Sequence, residues 1–195
     1  LKDVGQPLEG IKSLRRALEI TPELFEVRSN LLFIGHYMEE QTPESLLEEA
    51  KIFGEIAAGQ ANSITSWNNA PDPERCLRVG FVSADLNFHP VGFFIEGVLQ
   101  ALASRDSGKL DIYAYTNNSR VDGVSQRVKS LCHHWTEVFG LMDYELAELI
   151  QKDEIDILID LSGHSGRNRL PVFAWKPAPI QVTWLGYFAT TGLKA

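Results

Sequence analysis

The stretch VSADLNFHPVGFF, residues 82–94, passes from an apolar strand-like run directly into a run with helical spacing. Asp85 and His89 stand in the turn between them, and Pro90 follows the histidine. Proline suits the first position of a helix, so a helix is predicted to begin at Pro90 with His89 near its N-cap. A helix N-terminus disfavours imidazolium, so His89 is expected to be neutral near pH 7 and able to accept a proton. A second interpretation, in which Asp85 and His89 only cap the turn, stays open.

Strand-like and helix-like segments alternate from Leu77 onward. Strands are predicted at 77–84, 109–116, 134–138, 155–162 and 180–186, and helices at 90–104, 121–132 and 143–153. This alternation predicts an α/β fold, a parallel sheet with helices on both faces. The nearly continuous apolar strands predict burial on both sides of the sheet.

The beginning of the chain has the pattern of three helices. They are predicted at 7–20, at 22–38, and from Pro43 onward with Thr42 as N-cap. Ser45 stands where a complete capping box has Glu or Gln, so an incomplete box is expected.

A short spacing in the first helices suggests a repeat. Leu14, Ala17 and Pro22 fit the end of a tetratricopeptide repeat, although a generic helical hairpin fits them as well. Residues 61–76 are polar and rich in Asn, Pro and Ser, which predicts a linker. The domains are therefore expected at 1–60, helical, and 77–195, α/β.

The composition excludes several classes of protein. The 195 residues are 44% hydrophobic and 23% charged, which suits a soluble globular chain. A net charge of −8 without a Lys/Arg cluster argues against nucleic-acid binding. No apolar run approaches the ~20 residues that a membrane span needs, and the N-terminus has no signal-peptide pattern. Cys76 and Cys132 are isolated in the sequence, so neither a structural zinc site nor a disulfide framework is expected. Isolated cysteines suit a reducing compartment, so a cytoplasmic location is expected.

Three polar loops follow predicted strands, and we expect them to meet at one edge of the sheet. They span 83–89, 162–168 and 185–192, and parallel sheets bind ligands outside the carboxyl ends of their strands. The first loop lacks the G-x-G-x-x-G of a dinucleotide site. The sequence contains no Asp-x-Asp, the motif that usually holds the divalent metal of a metal-dependent glycosyltransferase, so no metal is expected. If the site binds a nucleotide sugar, side chains and helix ends would have to neutralise the diphosphate instead.

The second of these loops, SGHSGRN, combines conformational freedom with polar groups. Gly163 and Gly166 permit close backbone approach, and the polar side chains able to bind a ligand are His164, Ser165, Arg167 and Asn168. An ordinary turn that requires positive φ explains the glycines equally well.

Taken together, LRVGFVSADLNFHPVGFF (77–94) and IDILIDLSGHSGRNRLPVFAWKPAPIQVTWLGYFATTG (155–192) resemble the first half of the catalytic region of O-linked N-acetylglucosamine transferases. These are glycosyltransferase family 41, and the resemblance is to tetratricopeptide-linked, SPINDLY-like, bacterial members. It implies one Rossmann-like lobe of a two-lobed GT-B enzyme. It also implies inverting, metal-independent transfer of N-acetylglucosamine from UDP-GlcNAc to Ser or Thr hydroxyls of a protein, which the helical repeats present.

The resemblance also assigns roles to individual residues. Asp85 and His89 match the family's Asp-x-x-x-His-Pro and are implied to be catalytic, either one being able to take the proton. The donor-binding residues implied are Leu185, Gly186 and Tyr187. On the acceptor side they are His164 and Ser165.

The sequence also departs from the family pattern. Phe188 and Ala189 replace the Pro-Gly of many members, which would change the shape of the donor loop, and the second lobe does not follow before Ala195. The chain alone is therefore expected to be inactive. Two alternatives stay open: a non-catalytic protein-interaction module, and a relative that uses another sugar or acceptor.

Overall fold

The computed structural model describes residues 5–72, 74–105 and 108–194. The helices in this part of the chain are α1 (Pro7–Ile20), α2 (Phe25–Gly35), α3 (Pro43–Gln60), α4 (Pro90–Arg105), α5 (Gly123–Ser130), α6 (Asp143–Lys152) and α7 (Leu170–Ala174). The strands are β1 (Leu77–Ser83), β2 (Leu110–Thr116), β3 (His134–Glu137), β4 (Ile157–Asp160) and β5 (Ile180–Thr183). None of the helices described has the length and apolar character needed to cross a bilayer.

The strands form one parallel sheet in the order β3-β2-β1-β4-β5. Ile95 of α4 and Val128 of α5 are buried in a cluster on one face, and Leu146 and Ile150 of α6 are buried in a cluster on the other. The predicted α/β fold with helices on both faces is confirmed. Because β1 lies between β2 and β4, the order of strands reverses there, and such a switch point opens a crevice at the carboxyl ends.

Burial on both sides was expected of the nearly continuous apolar strands, and this is wrong for the edge strand β5. Ile180 of β5 is 53% exposed and Val182 is also exposed, while His134 and Glu137 at the ends of β3 face solvent. Edge strands lack a neighbour on one side, and the clusters of buried side chains are centred on β1, β2 and β4. Apolar composition alone does not distinguish such a strand from a central one.

Two details of the helical segment differ from expectation. Helix α2 begins at Phe25 rather than at residue 22, because its N-cap is Leu24, whose backbone is extended. The capping box of α3 is complete, so the expectation of an incomplete box is wrong. Thr42 Oγ1 accepts from the Ser45 N–H, and Ser45 Oγ accepts from the Thr42 N–H, the task usually done by Glu or Gln.

The three predicted N-terminal helices are confirmed, and they pack directly on the α/β lobe. A third buried cluster joins Leu32 of α2 and Phe53 and Ala57 of α3 to Leu170 and Ala174 of α7. Helix α7 itself was not predicted, because five residues are too few to show helical periodicity. The assignment of the helices to tetratricopeptide repeats stays a prediction.

Residues 61–72 have no regular structure and run along the lobe. The Ile64 N–H donates to the Trp175 carbonyl at 2.7 Å, and Trp67 Nε1 donates to the Lys176 carbonyl at 3.0 Å. The segment predicted as a linker is therefore fastened to the lobe, and the boundaries at residues 60 and 77 stay predictions.

Candidate active site

The three predicted loops lie together at the carboxyl edge of the sheet. Ser83 Oγ, at the end of β1, is 3.5 Å from Ser162 Oγ, which follows β4. Gly163, in the same loop, packs against Tyr187 in the loop after β5. The sheet topology thus brings together the loops that the sequence singled out.

The turn after β1 holds the predicted titratable pair. His89 Nδ1 lies 3.9 Å from Asp85 Oδ2, and the exposed fractions of the two side chains are 41% and 19%. Burial raises the pKa of Asp85, while electrostatic interaction with His89 and with the Arg167 guanidinium acts in the opposite direction. A carboxylate whose pKa is raised while it stays accessible is suited to general-base chemistry.

The backbone around His89 decides which ring nitrogen carries the proton. The His89 carbonyl accepts from the Phe93 N–H, which confirms His89 as the N-cap of α4. The Val91 N–H donates to His89 Nδ1 at 3.2 Å, so in the neutral ring the proton resides on Nε2. His89 therefore offers an N–H donor at Nε2, and which residue of the pair takes a proton stays a prediction.

A buried carboxylate shapes the loop after β4. Asp160 accepts from the Ser162 and Gly163 backbone N–H groups and from Thr183 Oγ1 of β5. Desolvation raises its pKa, and these three hydrogen bonds oppose that effect. The predicted strand continued to residue 162, but the carboxylate draws the backbone into a turn from Asp160 onward. Gly163 adopts φ +53° there, as a positive-φ turn requires.

His164 is fully buried, between the loop after β4 and helix α2. Its Nε2 lies 3.0 Å from the Thr191 carbonyl, which can only accept, so Nε2 is the donor. The Ser29 hydroxyl of α2 then donates to Nδ1 at 3.0 Å, and Asn168 donates to the Ser29 oxygen. Burial lowers the pKa of His164 to about 4.

Ser165, the other residue assigned to the acceptor side, has a buried Oγ without a hydrogen-bond partner among the described residues. The side chains of Asp85 and His89 are partly exposed, whereas His164 and the Ser165 hydroxyl are buried. An acceptor-side role for both stays a prediction, and it would require their surroundings to open.

We call residues 185–193 the donor loop, after the role that the resemblance predicts for Leu185, Gly186 and Tyr187. Leu185 adopts φ +73°, and a Cβ on Gly186 would overlap the Leu161 carbonyl oxygen. The loop passes so close to the end of β4 that only glycine fits at position 186. This packing requirement explains Gly186 without reference to a ligand. Tyr187 turns its hydroxyl toward α2, where it shares a 2.7 Å hydrogen bond with His36 Nε2.

The sequence profile described as Glycosyl transferase family 41 matches residues 55–194. The chain belongs to glycosyltransferase family 41. The family region begins within α3, so it includes part of the helical segment as well as the α/β lobe.

Individual family 41 proteins show the same relationship. A probable UDP-N-acetylglucosamine–peptide N-acetylglucosaminyltransferase SPINDLY of Solanum lycopersicum is 33% identical over 180 residues, which is 90% of this chain and 19% of that protein. The UDP-N-acetylglucosamine–peptide N-acetylglucosaminyltransferase of Caenorhabditis elegans is 33% identical over 119 residues, 60% of this chain and 10% of that one. The chain spans about a fifth of the length of its SPINDLY relatives.

A solved family structure has the same fold. A mutant O-GlcNAc transferase of Thermobaculum terrenum superimposes with a TM-score of 0.89 at 40% identity, covering 97% of this chain and 36% of that one. The superposition includes both the helical segment and the α/β lobe, so these two parts pack against each other in the same way in the two proteins.

Sequence reasoning missed three residues that organise this family 41 site. Asp160 had a signal, a carboxylate at the end of an apolar strand. His36 and Ser29 had none, because their partners in the site are 151 and 135 residues away along the chain. Among the described residues, no three His, Cys, Asp or Glu side chains are grouped to hold a metal ion.

Proposed function

We propose that this chain is the acceptor-activating lobe of a protein O-GlcNAc transferase. The proposed reaction moves N-acetylglucosamine from UDP-GlcNAc to the hydroxyl of a protein Ser or Thr. The observation that carries the proposal is the Asp85–His89 pair at the switch point of the sheet, in a chain of family 41.

The proposed chemistry is a single displacement. Asp85 takes the proton from the acceptor hydroxyl as its oxygen bonds to the anomeric carbon, and the bond from that carbon to the phosphate oxygen breaks. UDP leaves with the electron pair from the opposite side, so the configuration inverts. His89 donates from Nε2 to an oxygen of the reacting groups, since its Nδ1 is occupied by the Val91 N–H. In this scheme the leaving group is stabilised by hydrogen-bond donors and no metal is used.

The remaining site residues have proposed places in the same scheme. Leu185, Gly186 and Tyr187 approach the donor, and His164 and Ser165 line the acceptor side. The N-terminal helices, as tetratricopeptide repeats, present the acceptor protein. The proposed enzyme is cytoplasmic and binds no nucleic acid, in keeping with its acidic composition.

A second lobe is needed to complete the donor site, since both lobes of a GT-B enzyme face the cleft. We expect residues 1–195 alone to fold but to bind UDP weakly and to transfer no sugar. Calorimetry with UDP tests this directly, and micromolar affinity of the isolated chain would contradict it.

The test of the proposed function uses the full-length gene product. Intact-protein mass is measured after incubation of an acceptor protein with UDP-GlcNAc, and each transfer is expected to add one N-acetylhexosamine. The Asp85→Asn variant is the matched control, because it keeps the shape of the side chain without the basic oxygen. Absence of any added sugar with the wild-type protein, or equal addition with Asp85→Asn, would contradict the proposal.

The donor loop favours one further candidate, a family member that uses another sugar. Phe188 and Ala189 replace the Pro-Gly of many members, and the Phe188 side chain is 71% exposed at the loop. The same mass measurement with a panel of nucleotide sugars distinguishes this candidate, because the added mass identifies the sugar.

A further inference from the structure

The donor loop is fastened to the N-terminal helices at its beginning. Tyr187 Oη shares a 2.7 Å hydrogen bond with Nε2 of His36, the C-cap of α2. The His36 ring also contacts the Tyr187 and Phe188 rings edge-on, with centroids 5.6 and 4.8 Å away. The histidine that caps α2 thus contacts two successive residues of the loop.

The same loop is fastened again four residues later. The Thr191 carbonyl accepts from His164 Nε2, and the other nitrogen of that ring accepts from Ser29 of α2. His164 is fully buried against Phe53 of α3, whose ring centroid is 4.6 Å away. A buried side chain with both polar atoms satisfied fixes the loop backbone at this point.

The end of the loop touches the backbone of α3 directly. A Cβ on Gly192 would overlap the Ala50 carbonyl oxygen, and a Cβ on Gly54 would overlap the Gly192 carbonyl oxygen. Gly192 also has φ +76°, a conformation that favours glycine. Both this conformation and the close contact with α3 therefore require a residue without a Cβ. Helix α3 and the loop therefore pack without any side chain between them.

We propose that helix α2 positions the donor loop, with His36 as the positioning residue that sets the orientation of Tyr187. The inference rests on the proposed function and deepens it, because it gives the N-terminal helices a part in donor binding in addition to presenting the acceptor. His36 acts through Tyr187 and the loop backbone rather than by touching the reacting atoms.

Both partners of this hydrogen bond are neutral near pH 7. Burial lowers the pKa of His36 and raises that of Tyr187 to about 12. A neutral hydrogen bond contributes modestly, and its loss corresponds to roughly a three- to tenfold change in an equilibrium constant. A positioning role therefore predicts a moderate weakening of donor binding and a small change in turnover.

The kinetic test uses the full-length gene product and measures KM for UDP-GlcNAc and kcat separately. His36→Leu is expected to raise donor KM about three- to tenfold with kcat within about twofold. His36→Gln, which keeps a polar group near the position of Nε2, is expected to recover most of that loss. The matched control is His134→Gln, which lies on β3 at the amino edge of the sheet. Its donor KM is expected to be unchanged. An unchanged donor KM in His36→Leu would overturn the inference.

A second measurement does not depend on activity. Hydrogen exchange at the backbone amides of residues 187–192 is compared between the wild-type chain, His36→Leu and the milder Tyr187→Phe, which keeps the ring. Faster exchange confined to this loop is expected in both variants. Unchanged exchange in both overturns the positioning role. If the wild-type enzyme binds no UDP-GlcNAc, the proposed function fails, whereas the exchange result still decides whether α2 holds the loop.

Discussion

The turn after β1 and the loop after β4 end adjacent strands at the same edge of the sheet, and each carries a histidine. His89 in the first is half-exposed, at a helix N-terminus, and has its ring oriented by a backbone N–H two residues away. His164 in the second is fully buried and is held by residues of α2 and of the donor loop. The first histidine is available to a substrate, and the second joins parts of the protein.

The comparison teaches that position at the carboxyl edge of a sheet does not by itself assign a role. Burial and the distance of the partners along the chain separate the two histidines. Substitutions in the turn after β1 should therefore change the reaction and leave stability nearly intact. Substitutions in the loops after β4 and β5 should also lower stability, and four predictions test this division.

The largest effect is expected for Asp85→Asn. The asparagine amide cannot take the acceptor proton, so we expect turnover of the full-length enzyme to fall on the order of 10²–10⁴-fold while donor KM changes little. His89→Gln keeps a side-chain N–H donor and is expected to lose less. Initial rates and urea unfolding of both variants provide the measurement. Near-normal turnover of Asp85→Asn would show that the turn is structural after all.

The next effect is on stability, at Gly186. The side chain of Gly186→Val would overlap the Leu161 carbonyl at the end of β4, so we expect the free energy of unfolding to fall by about 3 kcal/mol. The control is Gly166→Ala, because a Cβ at that position meets no atom within 4 Å. Chemical denaturation of the 195-residue chain measures both. If Gly186→Val unfolds like the wild-type chain, the loop does not depend on its passage across β4.

A related effect is expected from acid, through His164. Burial holds its folded-state pKa at about 4, below the usual 6.5 of the unfolded chain. Between those values the unfolded chain binds the extra proton, so stability falls as pH decreases from about 6.5 to about 4, by up to roughly 3 kcal/mol.

The matching variant is His164→Gln, which keeps a donor for Thr191 but does not titrate. Denaturation curves collected across this pH range should show a shallower acid dependence for the variant than for the wild-type chain. Identical acid dependence in the two would mean that His164 is hydrated and free to protonate in the folded protein.

The smallest effect is expected at Ser29. Ser29→Ala leaves His164 Nδ1 buried without its donor, which costs about 1–2 kcal/mol of stability. Ser13→Ala on the exposed face of α1 is the matched control and should change stability little. A Ser29→Ala chain as stable as the control would indicate that a water replaces the hydroxyl.

The same two loops show what the sequence can and cannot predict. The turn after β1 was predictable because its signals are local: an apolar strand, Pro90 at the first helical position, and His89 at the N-cap. The strand alternation likewise predicted the sheet. The surroundings of His164 and Tyr187 were not predictable, because their partners Ser29 and His36 lie in a segment whose docking no local pattern encodes.

Two other expectations from the sequence failed because they too depend on neighbours in space. Ser45 completes the capping box of α3 because its hydroxyl is close enough to the Thr42 amide, a distance that a residue-type rule does not contain. The exposed apolar residues Ile180 and Val182 have the composition of a central strand and the position of an edge strand. Both outcomes depend on neighbours in space.

The cluster of Leu32, Phe53 and Ala57 against Leu170 and Ala174 has a consequence for how such proteins are assembled over evolution. A recombination event that exchanged the N-terminal helices at residue 60 would separate Phe53 from α7 and bring an unmatched helix against it. Only a crossover upstream of α2 would carry the complementary surfaces together. We therefore expect α2 and α3 to be inherited together with the lobe.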